Sequence, residues 1–187
     1  MARHTAHVDT FASERLPPRE QWPEFIHELA ELKYPERSNC AQRLIDDAVS
    51  EGHGERVAIR SAAGDVTYSE LLERSNRLAN VLVHELGVVP GNRVLLRSPN
   101  NAAMVAAWLA VMKAGAVAVS TMPLLRAKEL AAIAELGQVD HALCDPRLAD
   151  ELANAARATG RLRQIAHFGA GRYSLDARNP KDVASTT

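Results

Sequence analysis

Aromatic side chains make up only 4% of this 187-residue chain, and cysteine occurs twice, at Cys40 and Cys144. So few aromatics offer no stacking platform for nucleic-acid bases, and they oblige the core to be built from Ala, Val, Leu and Ile. Two distant cysteines outside any CxxC pair provide no disulfide framework and read as reduced thiols, which places the expected location in the cytoplasm. Neither sign of charge dominates, with 22 Lys and Arg against 23 Asp and Glu. No basic cluster is interleaved with aromatics, so nucleic acid is not an expected partner. The opening residues MARHTAHVDTFASERLPPRE contain no apolar segment followed by small residues, which argues against a secretory signal. Long apolar runs are also missing: a membrane span needs about 20 consecutive apolar residues. The best candidate, from Arg97 to Arg126, is broken by Lys113, Gly115 and Pro123 and reads as helix, turn and strand, so no membrane is expected as a partner.

What is present is a chain with 47% hydrophobic and 24% charged residues, enough to bury a sizeable core in one domain or a domain plus an arm. Residues 1–38 read as a proline-rich arm. Pro17, Pro18, Pro23 and Pro35 leave room only for a short helix around Glu24 to Leu32, with Trp22, Phe25 and Tyr34 expected to dock the arm on the body. A helix should start at Ser38 or Asn39 through a side-chain cap and turn Leu44, Ile45 and Val49 inward. Val57 to Arg60 and Val66 read as a hairpin around AAGD.

The segment TYSELLERSNRLANVLVHELGV carries the clearest local signal. Thr67 and Glu70 form a capping box, Leu71, Leu72, Leu78, Val81, Leu82 and Leu86 make one stripe, and Gly87 suits the C-terminal cap. Short aliphatic strands then alternate with helices: Val94 to Leu96, a helix from Ala102 to Lys113, Val117 to Ser120, a helix from Ala127 to Leu136, HALCD, a helix from Pro146 to Ala158, and LRQIAHF. This alternation predicts an α/β fold, a parallel sheet with helices on both faces. The helix at Ala102 to Met112 is apolar on every side and, like the strands AVAVS and HALCD, is expected to be covered all round.

Ligands in such sheets sit beyond the carboxyl ends of the strands. The loops there, Ser98 to Asn101 and Thr121 to Leu125, are expected to border a cleft, through Ser98, Asn100, Asn101, Thr121, Met122, Pro123, Leu124 and Leu125. The first loop lacks the glycines of a dinucleotide fingerprint, and Asn100 and Asn101 read as helix caps rather than ligand groups. GAGR after the last strand reads as a turn. His4 with His7, and His141 with Cys144, have no metal-site spacing, and Asp46 with Asp47 reads as a solvated helix face. No G-x-S-x-G elbow, P-loop or H-E-x-x-H motif occurs.

Four ordered blocks, VTYSELLERSNRLANVL, GVVPGNRVLLRSPN, AAWLAVMKAGAVAVSTMPLL and ELAAIAELGQVDHALCD, resemble the N-terminal subdomain of adenylate-forming acid-CoA ligases. The arm LPPREQWPEF with LKYPERSNCAQRLIDDAV is similar to aryl-CoA ligases of the benzoate and 2-aminobenzoate type, and the resemblance extends over most of Leu16 to Phe168. It implies that residues 39–170 are a partial subdomain of a larger fold and that 171–187 form an irregular tail. It also implies a reaction in which full-length relatives use ATP and magnesium to turn a carboxylate into an acyl-adenylate, then pass the acyl group to CoA. The Ser/Thr/Gly-rich phosphate loop ending in Pro-Lys, the aromatic-Gly-x-Thr-Glu segment, the ribose-binding Asp and the C-terminal lysine of such ligases do not occur in these 187 residues. No family catalytic, cofactor-binding or metal-binding residue carries over. The expectation is an N-terminal fragment or truncated gene product, inactive and without cofactor when alone. Its partners would be the missing C-terminal part or further copies joined through exposed apolar surface. The alternative is a non-catalytic scaffold subunit that joins a separately encoded remainder.

Overall fold

A computed structural model describes residues 5–168 apart from 25, 27 and 36. The expected GAGR turn, the tail and His4 therefore lie outside the described residues. The arm opens with a single helical turn, α1 (Phe11–Glu14), and continues through the short 3-10 turns Arg19–Gln21 and Ala30–Leu32. Among the described residues of the stretch expected to be helical around Glu24 to Leu32, only Ala30–Leu32 form a helical turn, since so short a helix is marginal without a packed face. Tyr34 is 69% exposed, so it does not dock the arm, and Phe25 is outside the described residues. The first residues of the arm dock on the body. Val8 and Asp9 donate their backbone N–H groups to the Pro90 carbonyl at 2.9 and 3.0 Å. Asp9 pairs with Arg93 and accepts from Asn92 Nδ2 at 2.9 Å, while the Arg93 guanidinium lies 4.5 Å over the Phe11 ring.

Asn39 begins the next helical segment as expected, its Oδ1 accepting from the Ala41 and Gln42 N–H groups at 3.0 and 3.3 Å. The segment contains two π-type stretches, Gln42–Asp46 and Val49–His53. Ile45 points into the core, but Leu44 is 55% exposed, a correction to the expected inward face. Wider turns rotate successive side chains away from the 3.6-residue register on which that face was drawn. A two-stranded antiparallel hairpin follows, β1 (Val57–Ile59) and β2 (Val66–Thr67). Helix α2 (Tyr68–Asn80) starts at the Thr67/Glu70 capping box, with both reciprocal bonds formed. A π-type extension, Val81–Glu85, carries its stripe onward, so that Leu71, Leu78, Val81, Leu82 and Leu86 are all buried. Each fully buried leucine in such a stripe contributes roughly 2 kcal/mol of hydrophobic free energy.

The body is a four-stranded, all-parallel sheet in the order β4-β3-β5-β6. Its members are β3 (Arg93–Arg97), β4 (Val117–Thr121), β5 (His141–Cys144) and β6 (Gln164–His167), linked through α3 (Ala102–Lys113), α4 (Ala127–Leu136) and α5 (Ala149–Thr159). Both bounds of α3 and of α4 match the sequence reading. Pro146–Leu148 forms a separate 3-10 turn ahead of α5. One face of the sheet (Val94, Leu96, Leu143, Ala166) packs on α2 and α3, and the other (Leu95, Ala142, Ile165) packs on α4 and α5. The chain steps one way from β3 to β4 across the first face and the other way from β4 to β5 and β6 across the second. All three crossovers therefore share one hand.

Two elements expected to be buried on every side are not. β4 is a sheet edge, and Val117, Ala118 and Val119 are half-buried. On α3, Ala106, Ala107, Leu109, Ala110 and Val111 are buried, while Val105 and Trp108 are each 38% exposed. Lys113, the one charge in the apolar run, pairs with Asp46, and the adjacent Met112 carbonyl accepts from Asn39 Nδ2 at 2.8 Å. No helix among the described residues is long and apolar enough to cross a membrane.

Candidate functional site

The reversal of direction between β3 and β5 sets the crevice of this sheet at their carboxyl ends, where the connecting chains part. Arg97 closes β3 there, in register with Thr121 on one side and Cys144 on the other. Its side chain is only 1% exposed. Nε donates to the Leu148 carbonyl at 3.2 Å, Nη1 to Met122 at 3.1 Å, and Nη2 to Pro123 and Leu125 at 3.1 and 2.8 Å. The guanidinium thus joins the loop after β4 to the turn after β5.

Around this anchor lies a cavity of about 340 Å³, lined by Pro123, Leu124, Leu125 and Leu148 together with Arg97, Arg126, Arg147, Asp150 and Glu151. Glu151 reaches from α5 to the start of α4, accepting from the Ala127 N–H at 2.7 Å and from Arg126 Nη1 at 2.9 Å. The Arg126 hydrogen bond, with the backbone donor, holds the Glu151 carboxyl below its usual range. It supplies the negative charge that the positive end of α4 favours. Buried Asp145 accepts from Arg147 Nε and Nη2 at 2.9 and 2.7 Å, and those hydrogen bonds lower its pKa against the opposing effect of burial. Burial pushes the Cys144 thiol up to about 12, so it carries no thiolate at neutral pH and is no nucleophile. His141 sits at the opposite end of the sheet with Nε2 3.1 Å from the Leu86 carbonyl, a structural contact between layers.

Of the residues expected at the cleft, Pro123, Leu124 and Leu125 line the cavity, whereas Met122 contributes its carbonyl to Arg97. Thr121 is buried and donates Oγ1–H to the Leu96 carbonyl at 2.9 Å. Ser98 is buried, and its hydroxyl bonds the Pro99 carbonyl at 3.0 Å. Asn101 is the N-cap of α3, its Oδ1 accepting from Met104 N–H at 2.9 Å, while Asn100 is exposed and caps nothing. Only one of the two asparagines therefore fulfils the capping expectation. Asn101→Ala should cost about 1 kcal/mol of stability, and Asn100→Ala no more than a few tenths. Chemical denaturation of the two variants checks this, and equal losses would contradict the assignment. Arg97, Arg126, Asp145 and Glu151 were not singled out from sequence; the one signal was a charge ending an otherwise aliphatic strand, VLLR.

A family model described as "AMP-binding enzyme" matches residues 46–183. Salicyl-AMP ligase / salicyl-S-ArCP synthetase of Mycobacterium tuberculosis is 40% identical over 93 residues, covering 50% of this chain and 16% of that protein. 3-Hydroxybenzoate-CoA/4-hydroxybenzoate-CoA ligase of Thauera aromatica is 37% identical over 93 residues, 49% of this chain and 18% of the relative. Among solved structures, a benzoate CoA ligase of Burkholderia xenovorans matches with a TM-score of 0.64 at 23% identity, over 80% of this chain and 29% of that one. An anthranilate CoA ligase in complex with anthranoyl-AMP matches with a TM-score of 0.68 at 19% identity, over 80% and 28%. These structural likenesses show the fold, and the matched part of this chain spans less than a third of each of the four proteins.

Proposed function

The chain belongs to the AMP-binding enzyme family, and from that membership we propose that it is the N-terminal part of a cytoplasmic, ATP-dependent aryl- or acyl-CoA ligase. Such a ligase joins a carboxylate to AMP with release of pyrophosphate, then transfers the acyl group to the thiol of CoA. Aromatic acids are the favoured substrate class, because salicyl and hydroxybenzoate ligases stand among the relatives.

The residues present do not fit ATP and its magnesium. The donors of Arg97 are turned to backbone carbonyls, the loop after β3 has no glycine, and among the described residues no three His, Cys, Asp or Glu side chains converge as metal ligands. Phosphoryl and adenylyl transfer depend on cations and donors placed around the phosphates. That machinery belongs to sequence outside these residues, and the role of this piece is to pack against it. The observation that carries the reading is the uncovered apolar side of α3, at Val105 and Trp108, in a chain spanning 16% of one such relative.

Carboxylate-dependent ATP-pyrophosphate exchange tests it. The pure chain should show none above the blank with benzoate or 2-aminobenzoate, and turnover would overturn the assignment of the phosphate machinery to sequence outside these residues. The same apolar side would serve a scaffold subunit that joins a separately encoded remainder. The DNA beyond codon 187 separates the two: an in-frame or frameshifted phosphate loop supports one polypeptide, and a distant gene supports a split enzyme.

A further inference from the structure

We propose that the outer edge of β4 pairs with the same edge of a second copy of this chain, antiparallel and centred on Val119, joining the two four-stranded sheets across a two-fold axis. Among the described residues β4 is the last strand on its side of the sheet. Its alternation decides which groups look outward. Val117 donates its N–H to the Asn92 carbonyl just ahead of β3 at 2.8 Å, so Val117, Val119 and Thr121 turn their backbone groups to β3. Ala118 and Ser120 turn theirs the other way, and among the described residues those N–H and carbonyl groups have no hydrogen-bond partner. An open edge is ordinarily blunted by a charge, a proline or a bulge. VAVST has none of these: its residues run in unbroken register with Arg93 to Arg97, and Ser120 is exposed. The opposite edge differs, since β6 follows directly on Arg161 and Arg163, the kind of charge that blunts an edge.

The register is fixed by which neighbouring groups are already engaged. Centred on Val119, each Ala118 meets the other copy's Ser120, and each of these meetings forms two N–H to carbonyl bonds. A shift that sets Ala118 against Ala118 would call on Ala116, whose N–H is bonded to the Val111 carbonyl at 3.0 Å. A shift that sets Ser120 against Ser120 would call on Met122, whose carbonyl accepts from Arg97 Nη1 and the Leu125 N–H. Only the Val119 register leaves no outward group of β4 unmatched. Antiparallel partners present the same face, so the two α3 helices, which lie over β3 and β4, come side by side above the seam. The uncovered Val105 and Trp108 gain an apolar neighbour there. The pairing follows from the sheet and does not rest on the ligase reading.

Disulfide formation at chosen positions tests it. In the full chain carrying Cys40→Ser, which removes the exposed thiol, Val119→Cys should give a covalent dimer under mild oxidation. At a non-hydrogen-bonded antiparallel pair the two Cα atoms stand about 4.5 Å apart, within disulfide reach. Ser120→Cys is the control: its two copies are offset by about 7 Å along the strands on top of the strand spacing, too far to bridge. Cross-linking of Val119→Cys should therefore run about ten-fold faster or more, although position 120 is the more exposed. Adding Ser120→Pro, which removes an outward N–H and leaves the bonds to β3 intact, should abolish the dimer with circular dichroism unchanged. Equal rates, faster cross-linking at 120, or survival of the dimer in the proline variant would each overturn the pairing. Should Val119→Cys fail to fold, amide exchange of the parent chain decides. The Ala118 and Ser120 amides should slow about ten-fold or more as the chain is concentrated from micromolar to hundreds of micromolar, and no change would overturn the pairing.

Discussion

Gly91→Ala is expected to release the N-terminal arm. Gly91 has φ +91°, a conformation that costs other residues about 1–2 kcal/mol. A methyl group placed on it would stand 2.1 Å from the Asp9 carbonyl oxygen and 3.0 Å from His7 Cβ. The first contact is with backbone, so no side-chain rotation relieves it. One partner must move, and the two differ in what holds them. Gly91 is tied into the body through its N–H to the Gly115 carbonyl at 2.9 Å and stands two residues before Arg93 in the central strand. The arm is held there by two hydrogen bonds to Pro90, the Asp9 contacts with Arg93 and Asn92, and one ring face. The arm should leave. Arg93 would keep its bonds to the Gly137 and Gln138 carbonyls at 2.9 and 2.8 Å but lose its carboxylate. The loss is smaller than that of a charge left buried without its partner, because the departing arm opens Arg93 to water. Trypsin should then cut after Arg15 and Arg19 well before it attacks the body, with a melting midpoint several degrees lower. An unchanged midpoint with an uncut arm would show that the close approach has slack.

That contact also marks the limit of what the sequence made legible. Local grammar was readable: Thr67 with Glu70, the capping oxygens of Asn39 and Asn101, Gly87 and Gly115 set element ends within a few residues, and the elements they bound fell where expected. The link between Asp9 and Arg93 spans 84 positions and depends on how the arm crosses the sheet, which no period or cap encodes. For the same reason the sequence points to Tyr34 for a docking contact that Phe11 and Asp9 make. β4 was read as buried on both faces because its composition is that of a central parallel strand, and composition does not record position in the sheet order. The candidate site was only partly legible, for a different reason. Its loops were placed by the strand-end rule, but the groups that organise them, Arg97 against four carbonyls and Glu151 against Arg126 and Ala127, lie 24 to 51 residues from their partners. A charge at the end of VLLR looked like the start of a loop and is the centre of one.

The isolated chain should self-associate through the outer side of α3, and Val105→Glu with Trp108→Lys should abolish this. The sequence asked for cover on every side of the helix, and the structure supplies it on one. Val105 and Trp108 are three residues apart, so they lie together on the side facing away from α2 and the sheet, and half-buried Met104 and Met112 continue that side along the axis. The edge strand β4 leaves Ala118 half-buried on the same face of the sheet as α3, whereas Val119 lies on the opposite face. Monomeric proteins seldom leave more than a few hundred Å² of contiguous apolar surface uncovered. Burying that much between two copies gains roughly 25 cal/mol per Å², which competes with an association cost of about 4–15 kcal/mol. The balance points to weak, concentration-dependent association rather than a fixed dimer. Both positions are only 38% exposed, so the double substitution gives up some packing as well as the outer apolar side, and unchanged helical circular dichroism is the control for folding; Glu at 105 suits the first turns of α3, and Lys at 108 completes a pair three residues on. Light scattering and binding of a hydrophobic dye at tens of micromolar should both be positive for the parent chain and both fall to background in the variant, with helical circular dichroism unchanged. A dye-silent, monodisperse parent at that concentration would mean that the missing cover on α3 is not needed, and the packing role proposed for this chain would go with it.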